Sequence, residues 1–181
     1  IRRQCPTTHR FSMPELPEVE IVARALHNAV SGRKICSAKL LRPRLAPGST
    51  PDEFARSLVN GRINSVGRRG KNILFDIDNG RTLLAHLRMS GRFMLLPPES
   101  DDPKFTHAVF HLDDDSRLVF QDQRHFGLMK VIDSSRLSED IALAGLAPEP
   151  FSPEFSLGYL LRTLSRSNRS LKEFLLDQTK V

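Results

Sequence analysis

Tryptophan is absent from the 181 residues, cysteine occurs only at Cys5 and Cys36, and no apolar run approaches the ~18 consecutive residues that a membrane span needs. Two thiols so far apart exclude a disulfide framework and a Cys-x-x-Cys zinc site, so reduced thiols in a cytoplasmic protein are expected and no metal site is readable. No internal repeat or low-complexity tract is visible, which removes the solenoid architectures. Lys+Arg at 27 against Asp+Glu at 21, with 39% hydrophobic residues, excludes a disordered tail. The chain reads as soluble and globular. Its length accommodates one domain of about 130 residues and part of a second.

The net charge of +6 is concentrated at the start. Without Arg2, Arg3 and Arg10, Lys+Arg falls from 27 to 24 against the same 21 acids, so charge alone argues only weakly for a nucleic-acid partner. The first residue is Ile1, and Met13 is the first candidate start. Residues 1–12 resemble a transit peptide in composition but carry no apolar stripe, and are expected to be an extension of artefactual or upstream-translated origin. At the other end Leu171–Asp177 reads as an amphipathic turn or two of helix, and the stop at Val181 without a glycine cap or partner element suggests truncation.

Residues 17–30 form the clearest helix, with Pro17 at its first position, Glu18 and Glu20 in its first turn, and Gly32 beyond its end. A capping box at Thr50-Pro51-Asp52-Glu53 opens a second helix that closes at Asn60-Gly61. The period then changes to two. Residues 63–66, 72–78, 81–89, 91–96, 105–112, 117–121 and 127–132 read as strands, with Asp78-Asn79-Gly80 a type I′ hairpin signal and Asp113–Ser116 a second turn. Helix returns over 138–144 and 154–164, separated by the Pro-rich link 147–153. The fold class expected is α+β: a two-sheet antiparallel β-sandwich flanked by helices, followed by the beginning of an all-α domain. The expected divisions are extension 1–12, sandwich 13–133 and truncated helical domain 134–181.

The segment Met13-Pro14-Glu15-Leu16-Pro17-Glu18-Val19-Glu20 crowds three acids and two prolines at a start. A helix N-terminus that favours acids and proline accounts for it. A chemical reading stands beside that one. Excision of Met13 would leave Pro14 with a free secondary amine, which can attack an aldehyde-like carbon and form a cationic iminium. An α-amino group with a pKa near 8 is roughly 10% unprotonated at neutral pH, against less than about 0.1% for an ordinary lysine. Glu15 could then donate or shuttle a proton.

This string resembles the start of the formamidopyrimidine-DNA glycosylase family, in its formamidopyrimidine branch rather than the endonuclease VIII branch, where Gly usually stands at the position of Leu16. Arg68–Lys71, His86–Gly91, Asp122–Gly127, Leu146–Pro150 and Leu171–Asp177 look like further family segments in the expected order. The resemblance implies a base-excision DNA glycosylase with lyase activity that removes oxidised purines such as 8-oxoguanine and formamidopyrimidines through a Schiff base at Pro14. It implies Glu15 as proton donor to the opening sugar and Lys71 as a general acid in strand cleavage. Taken without the family, Lys71 is a basic knuckle on a hairpin that contacts phosphate or solvent.

The resemblance further implies that Met89, Arg124 and Phe126 fill the void left by an everted nucleotide, with Arg124 facing the orphaned cytosine. Taken alone, Met89 at a strand end and Phe126 read more readily as core residues. Alternation along an extended segment places Arg124 and Phe126 on one side. His86 matches a phosphate-contacting histidine, with a satisfied structural histidine as the alternative, and Lys172 a phosphate-binding lysine at the start of a helix-two-turn-helix region. Arg162, Arg166 and Arg169 add a basic edge that a solvated helical face would also explain.

The implied partner is double-stranded DNA carrying oxidised purines or abasic sites. A monomer in the bacterial cytoplasm is expected, with no membrane and no cofactor in these residues; the family's zinc belongs to a C-terminal finger. Arg88 stands where the family usually has Gly, and Phe105 replaces a histidine that often contacts phosphate. While Ser12 and Met13 remain attached, the Pro14 nitrogen is a tertiary amide without a nucleophilic lone pair. A catalytically silent damaged-DNA-binding protein is therefore the alternative, and these 181 residues are expected to have little activity of their own.

Overall fold

The computed structural model describes residues 13–181; the extension 1–12 and Cys5 lie outside them. The chain opens with α1 (Leu16–Val30), β1 (Ile35–Leu40), a 3-10 turn at Pro43–Leu45 and α2 (Pro51–Leu58). Seven strands follow: β2 (Ile63–Arg69), β3 (Asn72–Ile77), β4 (Arg81–His86), β5 (Gly91–Leu96), β6 (Thr106–Leu112), β7 (Arg117–Asp122) and β8 (Leu128–Asp133). A 3-10 segment (Ser134–Glu139) and the short helices α3 (Ile141–Ala144), α4 (Leu157–Leu164) and α5 (Leu171–Leu175) complete it.

The strands form two four-stranded sheets, ordered β1-β6-β7-β5 and β2-β3-β4-β8, with every pairing antiparallel. The expected sandwich is therefore present. Its core compensates for the missing tryptophan with phenylalanine: Phe54, Phe75, Phe110 and Phe120 are each at most 1% exposed. Phe93 bridges the sheets, edge-on to Phe75 at 5.3 Å and to Phe120 at 5.1 Å between centroids, a geometry that suits the aromatic quadrupole. Helix α1 buries Val19, Ala23, Leu26 and Val30, the stripe its periodicity announces, and packs on β2.

Several boundaries differ from the sequence reading. Strand β1 was not anticipated, because a bulge between Ile35 and Ser37 breaks the alternation. Strand β4 ends at His86 rather than Met89: its pairing with β8 stops at Leu128, and Arg88 turns into the left-handed region at φ 54°. Phe105, at φ 64°, precedes β6 instead of opening it. The Asp78-Asn79-Gly80 turn is not type I′. Ile77 pairs with Arg81, leaving a three-residue loop in which only Gly80 has positive φ, 77°. The helix expected over 138–144 is divided at Asp140, whose carboxylate accepts the Ala142 N–H and caps α3. Helix α4 starts at Leu157 behind a Ser156 cap, and no residue of it is buried.

Antiparallel register decides where the chemistry gathers. Asn72 faces His86, His86 faces Leu128, Gly91 faces Asp122 and Thr106 faces Gln121. The β2–β3, β4–β5 and β7–β8 connections and the segment entering β6 therefore share one end of the sandwich.

Candidate active site

At that end, Lys71 sits in the β2–β3 turn after Gly70, whose φ of 56° admits the tight reversal. The ammonium of Lys71 lies 2.5 Å from Glu15 Oε2, and the lysine side chain is only 8% exposed. The solvated-knuckle reading of this residue is thus overturned. Glu15 is the residue preceding α1, and its N–H donates to Glu18 Oε2 at 3.1 Å, so the crowded acids serve both capping and the ion pair. Pro14, half-buried, adjoins Glu15 directly. Pro14, Glu15 and Lys71 are therefore brought together.

Arg68 and Arg69 are braces. Arg68, 10% exposed at its side chain, donates to Glu20 Oε2 and Glu149 Oε2, both at 2.6 Å. Arg69 reaches Glu149 Oε1 at 3.1 Å and the Ala147 carbonyl at 2.6 Å. The Gly70 N–H also donates to Glu149, at 2.9 Å. Burial pushes the Glu149 carboxyl upward, but the Gly70 N–H and the two guanidiniums outweigh it and hold the group below its ordinary range. The Lys71 N–H donates to Gln178 Oε1 at 2.8 Å, and the Gln178 carbonyl accepts from Ala147 N–H at 2.8 Å. Sequence reading assigned no role to Glu149 or Gln178. Glu149 lies in the Leu146–Pro150 segment that resembles the family, its one available signal, whereas Gln178 lies just past the last such segment, Leu171–Asp177.

His86 follows across the register from Asn72. Its Nδ1 accepts the Arg88 N–H at 3.0 Å, which leaves the proton on Nε2. Burial, then the charges of Arg88 and Lys71, lower its pKa to about 4. His86 is neutral at pH 7 and offers an N–H donor.

Met89, Arg124 and Phe126 lie on the two loops that cross between the sheets. One buried carboxylate organises both. Asp122, 0% exposed, accepts from Ser90 Oγ, from Gly127 N–H at 2.7 Å and from Arg124 N–H at 3.1 Å. Burial raises its pKa, but these donors and the Phe126 N–H more than reverse that and leave it lowered. Ser90 Oγ in turn accepts the Arg124 N–H at 3.0 Å. Phe126 is exposed and not a core residue, and the Arg124 guanidinium lies 5.4 Å from its ring centroid, within cation–π range. Their proximity does not come from strand alternation, since His125 between them has φ 60°. Asp122 and Ser90 were missed because a buried organising carboxylate looks like any other Asp in a sequence.

Lys172 is exposed on α5, and no ion pair to it is found among the described residues. Nothing here brings it into contact with Lys71 or Asp122. Among the described residues no helix is long and apolar enough to cross a membrane, and no group of three or more His, Cys, Asp or Glu is placed to hold a metal ion. The zinc implied by the resemblance has no donor set in residues 13–181.

The family model described as the formamidopyrimidine-DNA glycosylase N-terminal domain matches residues 13–129. Formamidopyrimidine-DNA glycosylase of Lactiplantibacillus plantarum is 39% identical over 169 residues, covering 93% of this chain and 61% of the relative. That of Bacillus subtilis is 40% identical over 170 residues, with 93% and 61% covered. The Lactococcus lactis enzyme bound non-covalently to DNA containing an AP site superimposes with a TM-score of 0.85 at 30% identity, covering 93% of this chain and 64% of that one. A second Lactococcus lactis complex, with DNA containing N7-benzyl-Fapy-dG, gives 0.85 at 31% identity over 93% and 62%. The chain spans about three-fifths of the length of these curated relatives.

Proposed function

Because the chain belongs to the formamidopyrimidine-DNA glycosylase family, we propose that it acts in base-excision repair as a DNA glycosylase and abasic-site lyase. Its substrate is double-stranded DNA carrying oxidised purines, such as 8-oxoguanine and formamidopyrimidines, or abasic sites. Residues 13–133 supply the catalytic sandwich and 134–181 open the helical domain. A bacterial cytoplasmic location follows from that partner.

The observation that carries this reading is the ion pair at 2.5 Å between the buried Lys71 and the part-exposed Glu15, beside Pro14. With the Met13–Pro14 bond cleaved, the Pro14 lone pair bonds to the sugar C1′. The bond to the damaged base breaks, and the base leaves with that electron pair and takes up a proton. The amine sheds its proton to the Glu15 carboxylate, which passes it to the ring oxygen as the sugar opens, and a cationic iminium joins Pro14 to C1′. The iminium acidifies the C2′ hydrogen, whose loss expels the 3′-phosphate, with Lys71 as general acid. Met89, Arg124 and Phe126 offset the few kcal/mol lost on unstacking the damaged nucleotide. His86 donates its Nε2–H to a backbone phosphate, and Lys172 adds a phosphate contact from α5.

Borohydride trapping on an 8-oxoguanine duplex tests the proposal. Protein beginning at Pro14 is expected to give a covalent adduct, and protein retaining residues 1–13 none. Absence of an adduct from a gene product beginning at Pro14 would favour the silent DNA-binding alternative.

A further inference from the structure

Beside the β7–β8 loop lies a small recess of about 130 Å³, lined by Arg42, Arg44, Leu45, His107, His125 and Gly127. Two guanidiniums and two imidazoles line it, and no carboxylate does. Register sets its place. Leu40 pairs with Ala108, so the chain leaves β1 opposite His107. The Leu41 and Arg42 N–H groups both donate to the His107 carbonyl, at 2.8 and 3.2 Å, and Leu45, 2% exposed, anchors the 3-10 turn that follows. Arg42 and Arg44 flank Pro43 in that turn; both are exposed, and neither forms an ion pair among the described residues. Two cations fixed beside one concavity without a counter-ion make it electropositive.

A histidine pair forms part of the wall. His107, 3% exposed, and His125 are joined by a hydrogen bond of 2.8 Å between His107 Nε2 and His125 Nδ1, with the rings 7° from parallel. The charged groups around the pair are Arg42 and Arg44 from the 3-10 turn, Asp122 at the end of β7 and Arg124 next to His125 in the loop. Burial first, then His125 and Arg42, lower the His107 pKa against an opposing pull from Asp122, so this ring is neutral at pH 7. One N–H bridges the two rings, and a neutral pair therefore turns one donor and one acceptor outward. A further proton makes both outward nitrogens donors and leaves the bridge intact.

A volume of about 130 Å³ lies well below the roughly 300–1,000 Å³ of small-molecule sites, and suits a tetrahedral oxyanion rather than a nucleoside. His125 stands between Arg124 and Phe126, so the recess flanks the place where the proposed wedge enters the duplex. We propose that the recess seats one backbone phosphate of the duplex, held between the Arg42 and Arg44 guanidiniums. The histidine pair takes up a proton as the anion enters and adds a second N–H donor to the wall. The inference rests on the damaged-duplex reading above and adds to it an anchoring site separate from Lys71, His86 and the wedge.

The test uses the 181-residue chain, its Arg42→Gln and Arg44→Gln variants, the double variant, and His125→Asn, since Asn tolerates a φ of 60°. Affinity for a duplex carrying a tetrahydrofuran site is measured by anisotropy between about 50 and 200 mM salt. One shared phosphate predicts that each single variant and the double all reduce the salt slope by about 0.9, whereas two independent surface charges predict about 1.8 for the double. Parent affinity should rise as pH falls from about 8 to 6, by less than about tenfold per unit, the limit for one proton, and His125→Asn should flatten that rise. Without DNA, dimethyl phosphate, a lone phosphodiester, should move the pH titration of the His107 and His125 ring signals upward in NMR spectra of the parent but not of the double variant. An additive or absent change in slope overturns the shared site while duplex binding stands, and a pH dependence unchanged in His125→Asn overturns the proton uptake. A dimethyl phosphate response without a change in slope overturns the duplex phosphate in favour of a free phosphate ligand. Failure of the parent to bind the duplex overturns the duplex reading and this assignment together.

Discussion

Replacing Asp122 should damage the molecule more than replacing any residue proposed to touch DNA directly. Its carboxylate is fully buried and serves Ser90, Arg124, Phe126 and Gly127, so it ties the β4–β5 loop to the β7–β8 loop. In Asp122→Ala the Gly127 N–H loses its acceptor, at ~1–3 kcal/mol for a buried unsatisfied donor, and the charged bond to Ser90 is lost at ~1.5–3 kcal/mol. Arg124 N–H keeps Ser90 Oγ, which limits the total to about 3–5 kcal/mol. That is a large part of the 5–15 kcal/mol typical of a domain. Asp122→Asn keeps the shape but presents an NH₂ to a cluster of donors and should cost roughly 2 kcal/mol. Urea denaturation read by circular dichroism measures both, with an unchanged m-value marking a pure stability effect.

A pH arm isolates the charge. Because the folded pKa of Asp122 lies below its ordinary 3.8, its stabilisation is present above that value and disappears as pH falls through the lowered one. The gap between parent and Asp122→Asn should therefore narrow below about pH 4. An Asp122→Ala midpoint equal to that of the parent, or a gap that widens in acid, would refute the reasoning.

Gly70→Ala combines a positive φ of 56° with a Cβ placed 2.8 Å from Gln178 Oε1 and 3.0 Å from Leu146 Cδ1. It should cost roughly 1–3 kcal/mol in a urea melt and reduce strand cleavage at an abasic site more than duplex affinity, because it displaces Lys71, the general acid of that step, rather than the wedge. For His86, the folded pKa of about 4 against an ordinary 6.5 means that the unfolded chain takes up the proton first as pH falls. The parent should therefore lose up to roughly 3 kcal/mol between pH 6.5 and 4, a slope that Phe- or Gln-substituted His86 lacks; equal pH profiles by urea titration would refute this.

The sandwich was legible wherever burial follows a strict period. Asn72–Ile77 and Arg117–Asp122 alternate or run apolar between turn residues, and the stripe of α1 repeats at helical spacing. Strand β1 was hidden because its bulge shifts Ala38 and Leu40 out of phase with Ile35. The site was legible only in its exposed or motif-borne parts. The role of Arg68 was hidden because its partners Glu20 and Glu149 lie 48 and 81 residues away. Ion pairs of that span follow from the closed fold, and no local pattern encodes them. The same holds for Gln178, which reaches Lys71 across 107 residues.

The backbone shows why the two sheets matter to the chemistry. Gly70, Arg88, Phe105 and His125 have φ of 56°, 54°, 64° and 60°, and all four lie in segments at one end of the sandwich. Left-handed backbone costs a non-glycine residue roughly 1–2 kcal/mol, so three such residues on one rim need restraints from outside their own loops. The register provides them. Gly91 is locked opposite Asp122 and Thr106 opposite Gln121, while the Asp122 N–H holds the Phe105 carbonyl and its carboxylate holds both sides of His125. Wedge, Phe105 segment and Lys71 turn are thus fixed by strands whose own stability lies in the phenylalanine core. A fold held this way can keep strained side chains presented before any ligand arrives, which lowers the ordering cost of binding. Loosening Asp122 should therefore soften the wedge and the Phe105 segment together, while leaving the Lys71–Glu15 pair, braced separately by Glu149 and Gln178, in place.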